Sequence, residues 1–139
     1  MSARGQAHAG TGTCRGNAGQ AGSNGGDAWG GGLGVVGGSA TFSTCILDHN
    51  AALGGAGGAG GGNGGNGFGG GVYLASGAGL SVTGSVITHN LAQGGTGDGG
   101  GSDGQGIGGG VYDLGTFIFD TTTVIRKNHA STSNDDVFG

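Results

Sequence analysis

Proline is absent from this 139-residue chain, and so is glutamate. The first absence excludes a collagen triple helix, the obvious thought for a chain with 43 glycines, because that helix combines Gly at every third position with abundant Pro. Basic charge is scarce too. Four Lys and Arg oppose eight Asp, the net charge is −4, and the one adjacent basic pair is Arg126-Lys127. Phosphate neutralisation needs clustered cations, so nucleic acid is not an expected partner. No apolar run approaches the roughly 20 residues that cross a bilayer, and MSARGQAHAG at the start has no apolar centre for a signal peptide, so no membrane span is expected.

What is present is glycine in tracts, and between the tracts short stretches of a different kind. Gly-rich segments alone bury too little apolar surface to offset chain entropy. ATFSTCIL, LSVTGSVI and TFIFDTTTVI, however, are β-branched, aromatic and partly alternating, which predicts strands. These stretches recur. AWGGGLG at 28–34, GFGGGVY at 67–73 and GIGGGVY at 106–112 place Trp29, Phe68 and Ile107 at intervals of 39 residues, and likewise Leu33, Val72 and Val111. A second block, LDHNAAL at 47–53, ITHNLAQ at 87–93 and IRKNHAS at 125–131, aligns Leu47, Ile87 and Ile125, and also Asn50, Asn90 and Asn128. CRGNAGQ at 14–20 fits the same frame, which adds Asn17 to the Asn column and Cys14 to the aliphatic one. The chain divides into a partial repeat over 1–29 and repeats over 30–68, 69–107 and 108–139.

A period of this length signals a solenoid, a propeller or an array. Gly, Thr, Ser, Val and Asn are poor helix formers and no window shows sustained helical spacing, so the expectation is an all-β parallel β-helix of three to four coils. Each coil is expected to hold three strands, as at 72–74, 80–83 and 85–88, each pairing with its counterpart about 4.8 Å along the axis. The Asn is placed where the coil turns, in the left-handed backbone region it tolerates, with its amide bonded to the amides above and below. The glycine triplets supply positive φ and room for neighbouring coils, and Trp29, Phe68 and Ile107 are expected to cover the end of the core. Gly-rich insertions at 54–68 and 94–107 emerge from one corner. Their local period near three suits extended polyproline II strands packed through glycine faces, and mobile loops are the alternative.

GGGVY alternating with LDHN, ITHN and IRKN resembles the repeat of polymorphic outer-membrane proteins and similar bacterial right-handed parallel β-helix proteins. There GGA plus an aliphatic residue alternates with Phe-x-x-N. The resemblance covers residues 14–139, with GGG in place of GGA and Leu or Ile in place of Phe. It implies a right-handed β-helix that is extracellular or at the cell surface, non-enzymatic, structural or adhesive, without a cofactor, and with a glycan or cell-surface ligand as partner.

Three other classes compete. A polysaccharide-active lyase or hydrolase would use Asp113 or Asp120 with a basic group such as Arg126, although no spacing pairs them. Ice binding would use a regular Ser/Thr face or the similar surface of a Gly-rich polyproline II bundle, and Thr121-Thr122-Thr123 has the irregular counterparts Ser43-Thr44-Cys45 and Thr83-Gly84-Ser85. Calcium binding would use Asp98 and Asp103 in GGTGDGGGSDG or Asp135-Asp136, but the tandem GGxGxD frame is missing. His49 and His89 share one coil position, where Lys127 stands in the third repeat. Stacked imidazoles could bind a metal there, but the expected role is a polar residue beside a corner, and no catalytic, cofactor or metal residue is assigned. Cys14 and Cys45 are read either as two buried thiols or as a disulfide. A rod this short exposes strand edges at both ends. STSNDDVFG, after Ala130, is expected to fold over the last coil as a partial cap, while the N-terminal edge is expected to stack on further coils or on another copy of the chain.

Overall fold

A computed structural model describes residues 13–139. Among them there is no helix, and seventeen short strands pair in parallel throughout. The chain begins with β1 (Thr13–Arg15), β2 (Ala28–Trp29), β3 (Leu33–Val35), β4 (Ser39–Ser43), β5 (Ile46–Asp48) and β6 (Ala51–Leu53). The next repeat supplies β7 (Gly67–Phe68), β8 (Val72–Leu74), β9 (Gly79–Thr83), β10 (Val86–Thr88) and β11 (Leu91–Gln93). The last supplies β12 (Gly106–Ile107), β13 (Val111–Asp113), β14 (Thr116–Phe119), β15 (Val124–Arg126) and β16 (His129–Ala130), followed by β17 (Val137–Phe138).

These strands form five sheets, ordered β12-β7-β2, β17-β13-β8-β3, β14-β9-β4, β15-β10-β5 and β1-β6-β11-β16. Each repeat visits the five in that order. A repeat therefore holds five strands where three are expected, the extra two lying on either side of the Gly-rich insertion. They are two or three residues long and rich in Gly and Ala, so neither alternation nor β-branching marks them.

Strand alternation decides the core. The columns Leu33, Val72, Val111, Val137 and Leu47, Ile87, Ile125 are in register, as are Ala40, Leu80, Phe117 and Phe42, Val82, Phe119. Val72, Leu74, Leu80, Val82, Ile87 and Val111 are fully buried, with Val35, Leu47 and Ala78 completing the cluster and Leu33, Ala40, Phe42, Phe117 and Ile125 packed against it. Towards the last repeat the cover is one-sided. β17 lies on β13, but β14 and β15 end their sheets, and Phe119 is 50% exposed although it continues the inward column of Val82. Among the described residues β4 and β5 are the opposite edges of the same two sheets.

The Asn column is real for three members and different for the fourth. Asn50 Nδ2 donates to Asn90 Oδ1 at 2.9 Å, and Asn90 Nδ2 donates to Asn128 Oδ1 at 2.9 Å, all three side chains being buried. The left-handed backbone, expected at Asn, falls one residue earlier, at His49 (φ 54), His89 (φ 51) and Lys127 (φ 57). Asn17 does not join the column. Thr13, Cys14 and Arg15 pair with Ala51, Ala52 and Leu53, so Cys14 aligns with Ala52 rather than Leu47, and Asn17 is exposed beside Gly55. Cys-x-x-Asn was a chance match; the true frame sets Ala18 and Ala21 against Ala56 and Ala59, which backbone bonds from Gly19 to Ala56 O and from Gly22 to Ala59 O register.

Each member of a glycine triplet has its own reason. Gly69 has φ 65, a Cβ on Gly70 would collide with the carbonyls of Leu91 and Gly109, and one on Gly71 would press the Asn90 amide at 3.0 Å. The residue before the triplet does not cover the core. Trp29 is 52% exposed and Phe68 and Ile107 are half-buried on the outer face, because the inward place in those two-residue strands belongs to Ala28, Gly67 and Gly106.

The Gly-rich insertions are packed segments. Outgoing stretches 16–21, 54–59 and 94–97 form one row, and returning stretches 23–27, 62–66 and 101–105 form a second. Along the first row every third N–H reaches the neighbouring stretch, Gly54 to Gln93 O and Gly57 to Thr96 O at 2.8 Å. Between the rows the bonds zigzag: Gly104 to Gly95 O, Gly95 to Gly65 O, Gly65 to Gly55 O and Gly55 to Gly26 O, all at 2.8 or 2.9 Å. A three-residue period with inter-strand bonds and glycine facing inward is the arrangement open to polyproline II strands.

Candidate functional site

Two surface features bring functional side chains together. The first is the corner after β5 and β10. Asp48 closes β5, and the left-handed residues His49 and His89 follow one another on successive repeats with their rings stacked at 4.9 Å and 17°. Asp48 lies between them. Its Oδ2 is 2.7 Å from His49 Nδ1 and its Oδ1 is 3.1 Å from His89 Nδ1. The hydrogen bond from His49, then that from His89, holds the Asp48 carboxyl below its ordinary range. Thr88 Oγ1 is 3.3 Å from His89 Nδ1. Among the described residues this is the one group of three His, Cys, Asp or Glu side chains whose donor atoms converge, all within 4.8 Å of one another. The pairing of the two histidines is legible from the period. Asp48 is not, since its partner is forty-one residues away and only the register joins them.

The second feature is an outer aromatic row on the sheets of β7 and β8. Tyr73 and Tyr112 stack at 5.8 Å, Tyr112 and Phe138 at 4.7 Å, while Trp29 leans on Tyr73 at 6.3 Å and Phe68 on Tyr112 at 4.8 Å. Outward positions of strands in register produce it, because residues on one face of neighbouring strands are about 4.8 Å apart. Desolvation, and then the charge of Tyr73, pushes the Tyr112 phenol up.

The carboxylates considered for other chemistry serve the backbone. Asp120 accepts from Thr122 Oγ1 and Thr123 Oγ1 at 2.6 Å each and from the Gly84 N–H at 3.1 Å, and these bonds, Thr122 first, lower it to about 2. Asp113 accepts from Gly115 N–H at 2.8 Å. Among the described residues neither forms an ion pair, and Arg126 lies exposed on β15 in register with Thr88. Asp98 accepts from the Gly60 N–H of the preceding insertion, tying two neighbouring turns together, and Asp103 accepts from the Gly97 N–H within its own insertion. Asp135 Oδ1 accepts from Ala130 N–H at 2.9 Å. Cys45 is buried with a free thiol, in register with Ser85 and Thr123, and the Cys14 side chain lies outside the described residues. No protein-family model matches this chain, nor does any curated protein or solved structure.

Proposed function

We propose that the chain is a segment of a right-handed parallel β-helix that works outside the cell or at its surface as a non-enzymatic, adhesive rod. The observation that carries this reading is the outer aromatic row, Trp29, Phe68, Tyr73, Tyr112 and Phe138, held on one face over four strand levels. Rows of Tyr and Trp give large contact area at low entropic cost, and their polar edges suit a ligand with both apolar faces and hydroxyls, which describes a glycan. The candidate acids, by contrast, are spent on turns. The edges of β4 and β5 offer a place for further coils or another copy. Binding to immobilised polysaccharides, with turnover followed on the same polymers, tests the reading. A Trp29→Ala/Tyr73→Ala/Tyr112→Ala variant should lose retention. Retention unchanged in that variant, or turnover of any polymer, would defeat it.

A second reading, ice binding, is supported by the outgoing Gly-rich row. Ala18, Ala21, Ala56, Ala59 and Thr96 are all exposed there as small side chains on hydrogen-bonded neighbouring stretches. Thermal hysteresis is its measurement, and a trace equal to a control protein's removes it.

A further inference from the structure

We infer that Asp48, His49 and His89 form a binding site for a divalent first-row transition metal of the zinc, nickel and copper class, which clamps the first repeat to the second at their shared corner. Two imidazoles and one carboxylate are the donor set such ions select, whereas calcium and magnesium demand oxygen. The geometry is close to what an ion needs. Bonds of about 2.0–2.1 Å in a tetrahedron set donor atoms about 3.3 Å apart. Asp48 Oδ2 stands 2.7 Å from His49 Nδ1 and Asp48 Oδ1 3.1 Å from His89 Nδ1, and one donor atom from each of the three residues lies within 4.8 Å of the other two, so rotation of these exposed side chains brings the set to that spacing.

The backbone prepares this arrangement. Parallel register stacks His49 on His89, and left-handed backbone at both residues turns the two side chains the same way. Asp48 reaches both rings because it precedes the corner on its own repeat. On ligation Nδ1 gives its lone pair to the ion and the ring proton resides on Nε2. The set stops at two histidines, since Lys127 takes the equivalent place in the third repeat. Three protein donors and side chains 61%, 44% and 37% exposed leave a fourth position open to water or to an outside donor.

Titration of the whole chain with zinc chloride alone, followed by calorimetry, should show one ion per chain. His89→Asn and Asp48→Asn should each weaken it at least about tenfold, and His129→Ala should leave it unchanged. Asn tolerates the left-handed backbone, so His89→Asn should keep the circular dichroism of the parent. If a variant fails to fold, nitrogen-detected NMR of the parent decides: zinc should shift Nδ1 of both His49 and His89. No uptake by the parent at millimolar zinc, uptake that survives His89→Asn, or unshifted Nδ1 signals would overturn the assignment.

Discussion

Asp136 completes the asparagine ladder with a carboxylate: its Oδ1 accepts the Asn128 N–H at 3.2 Å and Asn128 Nδ2 at 2.9 Å. Asn90 receives the same two bonds from Asn50, and Asn128 the same two from Asn90. The residue gets there through a change of register. Pairing of Val111 with Val137 sets Asn134, Asp135 and Asp136 over the triplet Gly108 to Gly110, and Asn134 at φ 60 repeats the left-handed backbone of Gly108 at φ 66. Asp136→Ala removes the acceptor and should cost about 1–2 kcal/mol, while Asp136→Asn keeps an oxygen there and should cost less. Urea unfolding of the two variants reads the difference.

Asn90 is the middle rung of the asparagine ladder and is bonded to both neighbouring repeats. Its Nδ2 reaches Asn128 Oδ1 and Leu47 O, and its Oδ1 accepts from Asn50 twice. Asn90→Ala strands buried groups on both neighbouring repeats, so a loss of about 2–4 kcal/mol is expected. A midpoint shift of the size of an ordinary surface substitution would show the ladder to be incidental.

Glycine substitutions separate packed from open positions. A Cβ on Gly65 would run into the Gly26 carbonyl, and Gly65→Ala should destabilise by more than about 1 kcal/mol. Gly37 has nothing within 4 Å and no positive φ, so Gly37→Ala should be neutral or gain about 0.4–1 kcal/mol. Equal melting temperatures for the two would mean that the Gly-rich rows contribute nothing to stability.

Acid should act through Asp120. Its folded value, about 2, lies below the ordinary 3.8, so the stabilisation is fully present above the ordinary value and is lost as pH falls from there towards 2. In an acid titration followed by thermal melts, Asp120→Asn should flatten that part of the stability curve. The same slope in parent and variant would assign it to other carboxylates.

Much of the architecture was readable because stacking forces equivalent residues to recur. Trp29, Phe68 and Ile107 keep one spacing since every strand must bond to its counterpart one repeat away, and the Asn at 50, 90 and 128 recur since an amide ladder needs a rung in every repeat. Asn17 misled because a four-residue pattern carries too little information against a background of 43 glycines.

The amino-acid sequence by itself determined the period, the strand stretches, the inward aliphatic columns and the need for glycine where backbones touch, all consequences of local chemistry repeated at a fixed interval. Only the tertiary structure decided which residue carries the left-handed corner, that the Gly-rich stretches pack in two rows, that Asp48 faces both histidines and that Asp136 ends the ladder. Each of these depends on register between chain segments tens of residues apart, and register comes from the summed hydrogen bonds of whole sheets rather than from any short pattern.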